Sequence, residues 1–147
     1  MKPPARRVAA DSAWLQIATP EAGYAGSVVT LVARISRTAS GRRVLEAIRD
    51  SGRTVRIDKP DPPTDPPNAW TRRRDSALGE AADVVIEFDP ADWPQPGRPD
   101  PTAPDVVLFD LLEAAARMVG GDDDGAVRAD AASPAMEAYL RERAPRP

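Results

Sequence analysis

Histidine and cysteine are both missing from these 147 residues. Without cysteine there is no disulfide framework, no thiol nucleophile and no thiolate zinc site. Without histidine, Ser-His-Asp and Cys-His catalysis and imidazole-ligated metals are excluded. No P-loop and no G-x-G-x-x-G occurs. No apolar run approaches the ~20 residues that a membrane-spanning helix needs, so no membrane partner is expected. A basic excess is lacking too. The formal net charge is −3, which argues against a sequence-independent nucleic-acid binder, because such a protein needs a basic face to displace counterions. The amino terminus, M-K-P-P-A-R-R-V-A-A, has no apolar stretch behind its charges, as a Sec-type signal would. The default compartment is therefore the cytoplasm, and secretion by a signal-less route is compatible with the same residues.

What is present has the balance of a globular chain. Apolar residues make up 41% and charged residues 29%, both near globular norms. The length suits one domain with one real core. We divide it into a flexible, weakly basic leader over 1–12 and a single domain over 13–147. The 17 prolines gather in loops. Alanine, arginine, aspartate and proline are used heavily while lysine, asparagine and glutamine are scarce. That is a background bias, so arginine richness alone carries little functional weight.

Ala13–Ala18 alternates and reads as a short first strand. Val28, Leu31, Val32 and Ile35 have the i, i+3, i+4, i+7 spacing of an amphipathic helix over about 23–37. Thr38 or Ser40 can cap a second helix, with Val44, Leu45 and Ile48 facing inward and Gly52 ending it. The short connection makes the two helices neighbours. Thr54–Asp58 is a half-buried strand by its alternation. Proline dominates the stretch 60–67, and the chain then reads as a long loop to Glu80, basic at Arg72-Arg73-Arg74. Asp83–Phe88 is the best strand signal, and a second proline-rich loop covers 93–104. A last helix is expected near 133–143, with Ser133 as its cap and Pro134 at its first position. Two strands meeting across a long loop and packed on helices point to a small α+β domain.

The strongest helix is P-D-V-V-L-F-D-L-L-E-A-A-A-R-M-V-G-G, from Pro104 to Gly121. Proline suits the first helical position, Asp105 complements the positive end of the macrodipole, and the glycine pair supplies a stop. Phe109, Leu112, Ala116 and Val119 form one buried face. Leu108, Leu111, Ala115 and Met118 widen it, so the helix is expected to be central. Asp110, Glu113 and Arg117 form one narrow polar stripe, with Glu113 and Arg117 in the favourable i, i+4 order for an ion pair.

This stretch resembles the catalytic helix of the bacterial effector zinc metallopeptidases (NleD-like), which carry a sequence close to L-F-H-E-L-x-H-A-x-R-M-x-x-G. Leu108, Phe109, Leu112, Ala115, Arg117 and Met118 match its packing positions. I-S-R-T-A-S-G-R-R-V-L-E-A-I, Asn68-Ala69 and D-V-V-I-E-F-D-P look like counterparts of upstream family segments in the same order. The resemblance implies a small zincin-like domain, with a short antiparallel or mixed sheet packed on a central helix and a helical pair. It also places the first zinc histidine on Asp110, the general-base glutamate on Leu111 and the second histidine on Ala114. The motif is degenerate at all three positions, so neither ligand nor base role carries over. The expectation is a pseudoenzyme with no metal and no cofactor, monomeric, acting by binding a protein. The resemblance puts the binding groove beside the central helix under the two proline-rich loops, with Trp70, Arg72, Arg74, Trp93, Asp110 and Glu113 as its contacts.

Other readings of these residues stay open. Asp110 and Glu113 can form a carboxylate pair for acid–base work or for a hard cation, which would make the chain an enzyme. The bland alternative is a solvated stripe tied to Arg117. A plain accessory interaction domain is a third reading. Asp122–Asp124 lacks the alternating acid spacing of a calcium loop and reads as a helix-terminal turn. The arginine triplet beside Trp70 either grips phosphates or an acidic partner, or is a solvated loop.

Overall fold

The computed structural model describes residues 6–7, 14–17, 22–60, 69–74, 77, 82–93, 103–121 and 133–143. The proline-rich stretches 61–68 and 94–102, Asn68 and the acidic run Asp122–Asp124 lie outside them. In chain order the elements are β1 (Arg6–Arg7), β2 (Leu15–Ile17), α1 (Ala22–Ser36), α2 (Ala39–Asp50), β3 (Val55–Asp58), β4 (Trp70–Arg73), β5 (Val84–Glu87), a single 3-10 turn (Pro90–Asp92), α3 (Pro104–Val119) and α4 (Pro134–Arg143). The domain is α+β, with a mixed sheet ordered β1-β2-β3-β5-β4. The central pairs β2/β3 and β3/β5 are parallel, and the two edge pairs are antiparallel.

The period-2 pattern decides which sheet face is inside. Leu15 and Ile17, Val55 and Ile57, and Val84 and Ile86 all join the core shared with the four helices. Their in-register partners across the ladders sit on the same face, as the pleat requires. The opposite face carries Gln16, Arg56, Val85 and Arg72 in one row, and Asp58, Glu87 and Trp70 in the next. Arg56 pairs with Asp58 at 2.9 Å, and Arg72 with Glu87 at 2.8 Å. Val85, between the two arginines, is 0% exposed yet stands apart from the main core.

Two strands differ from the sequence reading. The chain around Trp70–Arg73 reads as loop, because prolines and charges surround it. It forms edge strand β4, since Trp and Thr favour a half-buried ladder and β5 supplies a ready edge. Thr71 pairs with Ile86 on the inner face, and its hydroxyl donates to the Leu111 carbonyl at 2.8 Å. Arg6–Arg7 falls in the stretch read as a leader, yet its backbone pairs with β2. Edge pairing depends on the partner strand more than on side chains, so two arginines give no local signal for it.

The helices begin and end where local chemistry directs. Thr38 caps α2, its hydroxyl oxygen accepting from the Gly41 N–H at 2.9 Å and donating to the Ile35 carbonyl at 2.8 Å. Gly52 follows α2 at a φ of 74°, and Gly121 follows α3 at 93°, both in the left-handed region that favours glycine. Ser133 caps α4, accepting from the Met136 N–H at 3.0 Å. α3 starts at Pro104 with no side-chain cap, because Ala103 precedes it. A missing cap costs about 1 kcal/mol. Full burial of Leu108, Phe109 and Leu112, each worth roughly 1.5–3 kcal/mol, outweighs it. As its apolar circumference predicts, α3 is central and touches α1, α2, α4, β4 and β5.

Candidate functional site

On α3 the polar stripe is held in place by its neighbours. Glu113 accepts from the Ser133 hydroxyl at 2.8 Å to each oxygen and lies 3.4 Å from Arg117. Its carboxylate therefore steadies the N-cap of α4. Asp110 is half-buried, while Leu111 and Ala114 are buried. Leu111 belongs to the core, and its carbonyl receives the Thr71 hydroxyl. Among the described residues, no three acidic side chains come together as a metal site. The loops expected to roof a groove beside α3 lie largely outside the described residues.

The remaining candidates lie on or just after β4 and after the 3-10 turn. Trp70 is 48% exposed, and it stands on the outer sheet face opposite Glu87. Arg72 is tied to Glu87 by its Nε at 2.8 Å. Arg74 follows β4, and its N–H donates to the Asp83 carbonyl at 3.0 Å. Trp93 packs against the core as a cap, after the 3-10 turn that Asp89 caps. Its buried Nε1 has no hydrogen-bond partner among the described residues.

A buried polar cluster escaped the sequence reading. Asp105, in the first turn of α3, accepts from the Tyr139 hydroxyl at 2.7 Å and from Arg143 Nε and Nη2 at 2.6 and 2.8 Å. Burial pushes the Asp105 carboxyl up, but the Arg143 and Tyr139 hydrogen bonds and the Arg143 charge outweigh it and hold it below the usual carboxylate range. Burial, then the Asp105 hydrogen bond, pushes the Tyr139 phenol well above its ordinary value. The Tyr139 ring stacks on Phe109 at 4.2 Å and 6°. At the end of α4, Glu142 accepts from the Ser40 N–H and hydroxyl, both at 2.8 Å. These bonds to Ser40 hold its carboxyl below the usual range. The cluster docks α4 onto the first turns of α3 and α2.

A hollow lies between α1, α2 and β2. It has a volume of about 570 Å³, within the roughly 300–1,000 Å³ of ligand pockets. Trp14, Leu15, Val29, Val32, Ala33 and Leu45 form its apolar wall, and Arg42, Arg49, Glu46 and Ser36 its polar rim. Val29 is 38% exposed. From Ala22 to Asp50 five arginines stand against two carboxylates, Glu46 and Asp50, in a chain whose net charge is −3. The helical pair is thus a basic lobe on an acidic protein. A visible signal pointed here: Val29 and Ala33 are apolar at i, i+4 but fall outside the α1 core stripe. A second hollow of about 200 Å³ lies between the ends of α3 and β4. Neither is lined by Asp110, Leu111 or Ala114.

Comparison of the chain with protein-family models, with curated proteins and with solved structures found no match. No helix among the described residues is long and apolar enough to cross a membrane.

Proposed function

We propose that this chain is a non-catalytic binding domain on a metallopeptidase-like scaffold, and that its groove takes an amphipathic, acidic segment of a partner protein. The groove between α1 and α2 carries this reading: an apolar trough with a basic surround. An amphipathic helix with acidic flanks would lay its apolar face on Val29, Ala33 and Leu45 and its carboxylates toward Arg42 and Arg49. The sheet packed on a central helix with a helical pair supports the scaffold part of the reading. Burial of Leu111 and Ala114, and the engagement of Glu113 by Ser133 and Arg117, support packing roles for α3 rather than hydrolysis or hard-metal chemistry.

Titration with a designed acidic amphipathic peptide, mapped by amide chemical shifts, tests the reading. Shifts should cluster on α1 and α2 around Val29, Ala33 and Leu45, and Val29→Glu should abolish them while the melting temperature stays near that of the parent. Shifts centred on another face, or no saturable shift at all, would remove the groove as the binding surface.

A further inference from the structure

We infer that the smaller hollow, at the junction of the α2–β3 turn, the end of β4 and the last turn of α3, is a binding site for a phosphate monoester. Three arginines from two separate parts of the sequence line it. Arg53 follows the Gly52 turn, Arg73 closes β4, and Arg74 is the next residue; all three line the cavity. The arginine triplet read from sequence as a basic loop is therefore split. Arg72 turns to Glu87, while Arg73 and Arg74 line the same hollow as Arg53, twenty residues upstream of Arg73.

The backbone beneath these side chains is fixed. Arg73 pairs with Val84 in the β4/β5 ladder, and the Arg74 N–H donates to the Asp83 carbonyl at 3.0 Å. Among the described residues of the lining, Asp83 is the single carboxylate. Its Oδ2 accepts from the Thr54 N–H at 2.9 Å and the Thr54 hydroxyl at 3.3 Å. Its Oδ1 is 4.0 Å from Arg53 Nη1, a loose approach between partly exposed groups. So Asp83 is committed to aligning the start of β3, and exposed Arg53 and Arg74 bring guanidinium groups to the same described lining. Guanidinium forks match the oxygens of a tetrahedral phosphate, and bonds between ionised partners are the stronger class.

The floor sets the class of ligand. Val84, Met118 and Val119 line the other side, so a phosphoryl group at the arginines would direct its ester stem onto apolar surface. A volume of about 200 Å³ is below the roughly 300–1,000 Å³ of pockets for drug-sized ligands. It suits one phosphoryl group with a short stem rather than a nucleotide. This site is remote in sequence from the groove residues Trp14 and Val29, so it stands or falls independently of the partner reading.

The full chain, labelled at its methionine methyls, should be titrated in low-phosphate buffer with phenyl phosphate and, separately, with inorganic phosphate. Met118 lines the site, whereas Met136 lies on α4. The Met118 methyl should shift saturably with phenyl phosphate while that of Met136 stays. Binding should be tighter than for inorganic phosphate. Arg53→Ala with Arg74→Ala should weaken it by about tenfold or more, the equivalent of losing one charge-assisted bond. Both arginines are exposed, and the melting temperature of the double variant verifies its fold. An unsaturable Met118 shift, an affinity unchanged in the double variant, or equal affinity for the free ion would each overturn the assignment.

Discussion

Asp105 and Arg143, 38 residues apart, meet side-on, with Nε to Oδ2 at 2.6 Å and Nη2 to Oδ1 at 2.8 Å. The side chains are 0% and 6% exposed. Such a pair gains little over an apolar replacement of both partners, but losing one partner strands the other charge. Arg143→Met should therefore cost about 3–5 kcal/mol, read as a lowered urea midpoint. Its effect should exceed that of Arg49→Met, whose ion pairs lie on exposed helix surface and are worth ~0–1 kcal/mol.

The same pair sets the acid response. Because the folded-state Asp105 carboxyl is held below its ordinary value, its contribution is complete above the unfolded pKa of about 3.9. It is lost as pH falls through the lower folded value. Glu142, also held low, acts in the same direction. At the alkaline end the Tyr139 phenol is pushed up, so its contribution is complete below the unfolded pKa of about 10 and declines as pH rises beyond it. Stability should thus be flat through neutral pH and fall at both ends. Asp105→Asn should flatten the acid limb of a melting-temperature profile; an unchanged limb would assign acid sensitivity to other carboxylates.

How much of this was legible depended on whether the signal was local. Val28, Leu31, Val32 and Ile35 displayed α1 in their spacing, and Thr38, Gly52 and Ser133 marked helix ends by local hydrogen bonding or a left-handed turn. Phe109 and Leu112 announced the central helix. Asp105 was legible only as a charge suited to a helix start, because its partners lie 34 and 38 residues on. The Glu142 cap on Ser40 spans 102 residues. β4 has four residues set among prolines and arginines, so its pairing is a property of β5's free edge. The basic pocket was half visible as an arginine run, but that Arg73 and Arg74 share a hollow with Arg53 depends on the β4/β5 pairing.

Gly41 and Gly26 should respond to alanine in opposite ways. A Cβ at Gly41 would overlap the Ile35 carbonyl oxygen and lie 2.7 Å from its carbon, both backbone atoms at the α1–α2 corner. The helices must part to admit it, so Gly41→Ala should cost about 1–3 kcal/mol or more. A Cβ at Gly26 meets nothing within 4 Å, and the residue lies inside α1. There alanine should stabilise by roughly 0.5–1 kcal/mol through helix propensity. Denaturation midpoints moving the same way would contradict the corner geometry.

Phe109→Ala removes a fully buried ring and the stack on Tyr139. The loss should be about 3–5 kcal/mol, a large part of the stability of an ordinary domain. Phe109→Leu keeps most of the volume but not the stack, so it should fall between the parent and alanine. A midpoint for leucine equal to that for alanine would show that ring stacking, rather than filled volume, dominates at this position.

The scaffold reading has its own test on α3. Asp110→His with Ala114→His places two imidazoles one helical turn apart, the separation that zinc helices use. Leu111 is left as it stands, because a carboxylate at that buried core position would be costly without a partner. Asp110 is half-buried and Ala114 is 9% exposed, so both imidazoles can reach a shared margin of the helix. The double variant should bind zinc in a calorimetric titration, weakly for want of a third ligand, whereas Asp110→His alone should bind far less. Equal heats from the single and double variants, with helix content intact, would mean that the two positions open on no common hollow. The metallopeptidase-like alignment of α3 would then have to be abandoned, while the groove between α1 and α2 would keep its own test.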